Sequence, residues 1–179
     1  MQQTITISVI TITYNAAKVL QRTLDSVAHQ TYQHIEHLII DGASKDDTLA
    51  IAHRYAEGKN YPVFIQSEPD KGIYDAMNKG MAKATGDYLV FLNAGDVFHA
   101  DDTLQTVCQT IALQTAGNTS APLPAVVYGD TAIVDEQGHF LRLRRLRPPH
   151  QLSWRSFRWG MLVCHQSFYA RTDVAQQHH

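Results

Sequence analysis

Apolar positions along this chain alternate between two periods. Runs of strand length, rich in β-branched and apolar residues, cover residues 5–13, 35–40, 63–65 and 87–92. Elsewhere apolar residues recur at spacings of three and four, at Leu20, Leu24 and Val27, at Ile73, Met77 and Met81, and at Leu104, Val107 and Ile111. Each set is the stripe of an amphipathic helix. Ser44 with Asp47 three residues on predicts a helix N-cap with an acidic first turn. Gly86 is placed to close the helix carrying Ile73 as a left-handed C′ residue. Strands alternating with helices predict a three-layer α/β/α fold, Rossmann-like, with a mainly parallel central sheet covered on both faces. Beyond Asp102 the pattern predicts a helix, a loop over 117–124, strands at 126–128 and 132–134, a turn at Asp135-Glu136-Gln137-Gly138 and a strand from His139. No repeat or linker divides the chain, so a single domain is expected over 1–179.

Each of the four early strands empties into polar residues: Thr13-Tyr14-Asn15, Asp41-Gly42-Ala43-Ser44, Glu68-Pro69-Asp70-Lys71-Gly72 and Asn93-Ala94-Gly95-Asp96. In open α/β sheets the crevice outside the carboxyl ends of the strands is where ligands bind. A buried strand that delivers Asp96 there suggests a divalent-metal ligand for a nucleotide diphosphate; Asn93, Gly95 and Asp96 as a plain turn is the competing reading. Asp41 has the same alternative as an Asx turn, and Lys71 as a solvated lysine. Asp75 and Asn78, three apart, share a helix face away from the Ile73, Met77 and Met81 stripe.

The 179 residues carry 15 Lys+Arg against 17 Asp+Glu, and this balance gives no basic field for nucleic acid. There is no run of about 18 apolar residues and no signal peptide. Cys108 and Cys164 lack metal spacing and read as reduced core cysteines, which predicts a cytoplasmic address. In an unexported chain the glycosylation match at Asn118-Thr119-Ser120 is accidental. His34 and His37 fall on opposite faces of a strand and do not make a zinc pair.

The blocks Ile10-Thr11-Ile12-Thr13-Tyr14-Asn15, Ile40-Asp41-Gly42-Ala43-Ser44-Lys45-Asp46-Asp47-Thr48, Glu68-Pro69-Asp70-Lys71-Gly72-Ile73-Tyr74-Asp75-Ala76-Met77-Asn78-Lys79-Gly80, Phe91-Leu92-Asn93-Ala94-Gly95-Asp96 and His165-Gln166-Ser167-Phe168-Tyr169-Ala170-Arg171 stand in the order seen in family 2 glycosyltransferases of the GT-A fold. They most resemble the bacterial branch that builds capsular, colanic-acid-like or O-antigen polysaccharides. The resemblance implies an inverting transferase that moves a sugar from a nucleotide-diphosphate donor, UDP favoured, to a polysaccharide or lipid-linked saccharide acceptor. It divides the chain into a nucleotide-sugar half, 1–100, and a partial acceptor half, 101–179. It places Thr13, Tyr14, Asn15 and Asp41 around the base, and Asp70, Lys71, Gly72, Asp75 and Asn78 beside base and ribose. By the same resemblance Asp96 is the second carboxylate of the family's Asp-x-Asp motif, Asn93 to Gly95 occupy the rest and the first acid is absent; Asn93 is left to accept from the ribose or reach the metal through water, so Mg or Mn is expected to bind more weakly than at two carboxylates. His165 falls in the acceptor strand, as a substrate contact or a structural histidine. The family's catalytic base lies in an acidic motif a few tens of residues further on, and a C-terminally truncated chain without its base is expected. Arg142, Arg144, Arg145, Arg147, Arg155 and Arg158 near Trp154 and Trp159 read either as a solvated face or as peripheral contact with a lipid-linked acceptor at the inner membrane. The motifs specify neither the sugar nor the oligomeric state.

Three alternatives keep the α/β core. A sugar-phosphate nucleotidyltransferase is disfavoured because Tyr14-Asn15-Ala16-Ala17 is not a Gly-rich loop, and a dehydrogenase is excluded because no Gly-x-Gly-x-x-Gly follows the first strand. A non-catalytic nucleotide-binding module stays compatible with a missing base.

Overall fold

A computed structural model of the chain describes residues 4–115, 122–150, 152–159 and 162–177. Its elements are β1 (Ile7–Thr13), α1 (Ala17–Ala28), β2 (Ile35–Asp41), α2 (Thr48–Ala56), β3 (Val63–Ser67), α3 (Ile73–Lys83), β4 (Tyr88–Phe91), α4 (Thr103–Thr115), β5 (Val126–Tyr128), β6 (Ala132–Val134), β7 (Phe140–Leu143), β8 (Phe168–Arg171) and α5 (Thr172–Gln177), with 3-10 turns at Trp154–Trp159 and His165–Ser167. One sheet runs in the order β3-β2-β1-β4-β8-β5, and β6-β7 form a separate hairpin. The first four strands pair in parallel, while β8 is antiparallel to both of its neighbours. The fold is therefore α/β with a mixed, mostly parallel sheet, as the periodicity predicts.

Every residue of β1 is buried, which explains its uninterrupted β-branched composition: a central parallel strand has no solvent face. From β1 the chain winds outward through β2 and β3, then crosses to β4 on the other side. That reversal makes the carboxyl ends of β1 and β4 the topological switch point, where the sheet leaves a crevice. Helix α1 buries Leu20, Leu24 and Val27 as expected.

Three sequence expectations are corrected. Helix α3 seats Ala76 and Gly80 on the sheet, with Met77 and Met81 beside them, and leaves Ile73 47% exposed. A methyl group on Gly80 would lie 2.5 Å from Ile10 Cγ2, so the small residues mark the close approach and turn Ile73 outward. Gly86 is not a left-handed cap, since α3 ends in extended backbone at Ala84. A Cβ on Gly86 would instead meet Thr6 O at 2.8 Å and Ser8 N at 2.9 Å, so glycine is needed for contact with the strand. Ser44 does not cap α2, whose N-cap is Asp47; its hydroxyl donates to Asp41 instead.

At the opposite rim Glu36 accepts from Ser8 Oγ at 2.6 Å, from Thr85 N–H at 2.6 Å and Thr85 Oγ1 at 2.8 Å, and from Gly86 N–H at 3.0 Å. Burial opposes its charge, but these donors outweigh it and hold the carboxyl below its usual range. His37 is fully buried, with Thr11 Oγ1 at 2.9 Å and Tyr55 OH at 2.8 Å, and burial pushes its imidazole down to about 3. His34 is exposed, whereas His37 is buried. Part of the expected 117–124 loop, the Asn118-Thr119-Ser120 match, and the side chains of Trp154 and Trp159 lie outside the described residues.

Candidate active site

Thr13, Asp41 and Ser67 stand in register at the carboxyl ends of β1, β2 and β3. Asp41, 1% exposed, accepts from Ser67 Oγ at 2.6 Å, from Ser44 N–H at 2.9 Å and from the Ser44 hydroxyl. A carboxylate has about four acceptor positions, and three are filled. The Asx-type turn and the strand-end site are thus the same carboxylate in two capacities. Ser44 and Ser67 are functional neighbours that the sequence reading missed.

The loop after β1 turns at Asn15, φ 47°, and the loop after β2 turns at Ala43, φ 62°, both in the left-handed region. Asn15 is engaged with that loop, its N–H donating to Ser44 Oγ at 2.8 Å and its Oδ1 accepting from Lys45 N–H at 2.9 Å. Gly42 sits where a Cβ would meet Asp70 Oδ2 at 2.5 Å and the Tyr14 ring at 3.3 Å. Thr13, Tyr14, Asn15, Asp41 and Asp70 therefore converge. Tyr14 is 62% exposed, and Thr13 Oγ1 is buried without a hydrogen-bond partner among the described residues.

Asp70 Oδ1 accepts from Gly72 N–H at 2.8 Å and shapes the start of α3, where Gly72 takes φ 112°. Asp75 accepts from Lys71 N–H at 3.1 Å and lies 3.1 Å from Lys79 Nζ. The Lys71 hydrogen bond and then Lys79 hold its carboxyl below the usual range. Asp75 is thus occupied within the α3 start, and Asn78 is exposed one turn further along. These two residues are not brought into hydrogen bonding with the Asp41 cluster among the described residues.

The second cluster lies across the switch point. Leu92 N–H and Ala94 N–H donate to Ile10 O and Ile12 O at 2.9 and 3.0 Å, carrying the chain after β4 along β1. Gly95, at φ 102°, donates its N–H to Thr23 Oγ1 at 2.8 Å. Asn93 Nδ2 lies 3.0 Å from His165 Nε2, and Asn93 Oδ1 is buried without a partner among the described residues. Asp96 Oδ2 accepts from Gln166 Nε2 at 2.9 Å. Burial holds the His165 imidazole below its ordinary value, with the Asp96 charge opposing. The neutral ring, accepting from Asn93 at Nε2, carries its proton on Nδ1. Cys164 is half-buried beside this cluster and not in the core as expected, whereas Cys108 is buried.

Beyond Asp96 a groove of about 610 Å³ is lined by Thr103, Thr106 and Thr110 of α4, by Tyr128 and Asp130, and by Gln166. Arg147 grips Asp130 and Arg171 grips Asp173, while Asp135 accepts from the His139 and Gln137 N–H groups. These contacts hold all three carboxyls below their usual range. Arg144 donates to Leu146 O and Leu162 O, so Arg144 and Arg147 are structural parts of the basic patch. No three His, Cys, Asp or Glu side chains converge as a metal site among the described residues, and no helix there is long and apolar enough to cross a membrane.

Comparison with known proteins places this geometry. Residues 8–177 match the profile of glycosyl transferase family 2. An uncharacterized glycosyltransferase of Mycobacterium tuberculosis is 40% identical over 174 residues, spanning 96% of this chain and 61% of its own. A PGL/p-HBAD biosynthesis glycosyltransferase of the same organism is 33% identical over 178 residues, spanning 93% and 59%. The chain thus spans about 60% of the length of these curated relatives. The mannosyltransferase PcManGT of Pyrobaculum calidifontis, solved with GDP-Man and Mn2+, superposes with a TM-score of 0.59 at 27% identity, over 69% of this chain and 34% of its own.

Proposed function

The chain belongs to glycosyl transferase family 2, and from that premise we propose that it binds a nucleotide-diphosphate sugar and transfers the sugar, with inversion, to a saccharide or lipid-linked saccharide. The observation that carries this reading is that two of the buried oxygens left without a hydrogen-bond partner among the described residues, Thr13 Oγ1 and Asn93 Oδ1, lie on either side of the switch point. Buried polar atoms are nearly always satisfied. A ligand lying across the ends of β1 and β4 would satisfy both.

Tyr14 offers an exposed aromatic face for the base, and the remaining acceptor position of Asp41 suits the imide N–H of uracil. UDP is therefore the favoured nucleotide, although the PcManGT complex, at 27% identity, holds GDP-Man. On the diphosphate side, Asp96 supplies one carboxylate, and Asn93 Oδ1 is a free amide oxygen. This set fits Mg or Mn bound by one carboxylate, with substrate phosphates completing the shell. Bound there, the cation would neutralise the leaving diphosphate as a Lewis acid. Asn93 adds no second charge, which favours weak, nucleotide-dependent metal binding.

The groove beyond Asp96 is the acceptor side of this reading, with Gln166 in its wall and the neighbouring His165 held against Asn93. His165 Nε2 is engaged by Asn93 and Asp130, Asp135 and Asp173 are tied down, so the general base stays unassigned. The similar proteins named for PGL/p-HBAD biosynthesis do not single out the capsular, colanic-acid-like or O-antigen branch, and the acceptor is kept as a saccharide or lipid-linked saccharide. On the hairpin β6-β7, Phe140 and Leu141 are 62% and 59% exposed beside Arg142, a composition suited to peripheral contact with an anionic membrane surface.

A panel of UDP- and GDP-sugars with Mn2+, read by release of the nucleotide diphosphate, tests the function. Release from one donor class, faster with a saccharide acceptor, is expected. No release from any donor, with no nucleotide binding, would contradict it.

A further inference from the structure

Asp96 is oriented by its neighbours on both sides. Its backbone N–H donates to Asn93 O at 2.9 Å, fixing the loop that carries it. From the other side Gln166 Nε2 donates to Asp96 Oδ2 at 2.9 Å, and the Cys164 thiol donates to Oε1 of the same Gln166 amide at 2.6 Å. A side-chain amide has a donor end and an acceptor end of nearly the same shape, and only the donor end attracts a carboxylate. A thiol donating to the oxygen end therefore selects the orientation that Asp96 needs. The turn beneath is braced by Ser167 N–H to Cys164 O at 3.0 Å, Gly129 N–H to Ser167 O at 3.0 Å, and Thr131 Oγ1 beside Ser167 Oγ at 2.9 Å.

We propose that Gln166 is a positioning residue for Asp96, occupying Oδ2 so that Oδ1 is presented to the cation, and that Cys164 sets which end of the amide does so. The inference rests on Asp96 being the metal ligand of the proposed site. Groups behind a metal ligand fix its direction and basicity, and their loss typically lowers metal affinity by about 10- to 100-fold. Gln166 is partly buried and joins β8 to the loop after β4, which come from distant parts of the chain. A role in packing alone would move stability and leave the metal dependence untouched.

The test is calorimetric titration of UDP, or of GDP if the donor panel selects it, with Mn2+ and with EDTA, on the whole chain and four variants. Gln166→Met keeps the side-chain length without the hydrogen bonds and is expected to lower the Mn2+-dependent affinity by about 10-fold while metal-free affinity stays unchanged. Cys164→Ala should lower it by a few fold, and Cys164→Ser, which keeps a donor, should restore it. Unchanged metal-free affinity serves as the control for folding. Asp96→Ala, measured alongside, separates the two readings. If Asp96→Ala abolishes metal dependence and Gln166→Met binds like the native chain, the positioning role is overturned and the metal site stands. If Asp96→Ala keeps full metal dependence, both are overturned.

Discussion

Asp41 and His37 show how a single buried group in this fold is held by partners both near and far in the sequence. Asp41 is braced by Ser44 and Ser67, so Asp41→Asn would set an amide donor against N–H and O–H donors. A loss of about 1–3 kcal/mol of stability is expected from urea unfolding, and any preference for UDP over GDP should narrow at the same time. Ala43 sits in the left-handed region, where a non-glycine residue costs about 1 kcal/mol or more; Ala43→Gly should stabilise the chain by up to about 1 kcal/mol, measured by the same unfolding experiment. His37 gives a pH prediction. Burial pushes its folded pKa down to about 3, while the unfolded chain titrates near 6.5. Below about pH 6.5 the unfolded state therefore takes up a proton that the native state refuses. The contribution of His37 is fully present above that pH and is lost as pH falls toward the folded value, by about 1.4 kcal/mol per pH unit. Urea midpoints between pH 6 and pH 4 should show that extra slope in the native chain and lack it in His37→Gln. An equal slope in both would remove His37 from the acid response.

At the scale of elements, stability and function separate across the two rims of the sheet. The Glu36 network and Gly86 lock β1, β2 and the start of β4 on the rim opposite the proposed nucleotide site. A methyl at Gly86 would collide with the backbone of Thr6 and Ser8. Gly86→Ala should therefore cost about 1–3 kcal/mol and leave nucleotide affinity unchanged, as thermal unfolding and calorimetry on the same sample would show. β1, β2 and β4 were legible in the sequence because a strand buried on both faces is dominated by apolar and β-branched residues, and α1 because its stripe is unambiguous. The face of α3 was not legible, because the approach of Gly80 to Ile10 depends on how closely helix and sheet pack. The roles of Ser67 and Gln166 were hidden for a related reason: strand register alone brings Ser67 beside Asp41, and the folding of β8 against β4 brings Gln166 to Asp96. The hairpin β6-β7 has its own test, since Phe140→Ser with Leu141→Ser should reduce sedimentation with anionic lipid vesicles while nucleotide affinity is unchanged.

For the whole molecule, the crossing from β3 back to β4 creates the crevice, and everything assigned to nucleotide and metal lies along it. The motif blocks found in the sequence map onto this one rim, because in a parallel sheet the loops after successive strands share an end. Those blocks revealed the family and pointed to this rim as the candidate site. They did not reveal which polar atoms are spent inside the protein, as with Asn15 and Asp75, and which are left over, as with Thr13 Oγ1 and Asn93 Oδ1. The central claim is that this crevice binds a nucleotide diphosphate through a cation held by Asp96. Its most direct test is calorimetric titration of UDP and GDP into the native chain and into Asp96→Ala, with Mn2+ and with EDTA. The native chain should bind one nucleotide at least about 10-fold tighter with Mn2+, and Asp96→Ala should show one weak affinity in both conditions. Equal affinity with and without Mn2+ in the native chain, or full Mn2+ dependence in Asp96→Ala, would contradict the account.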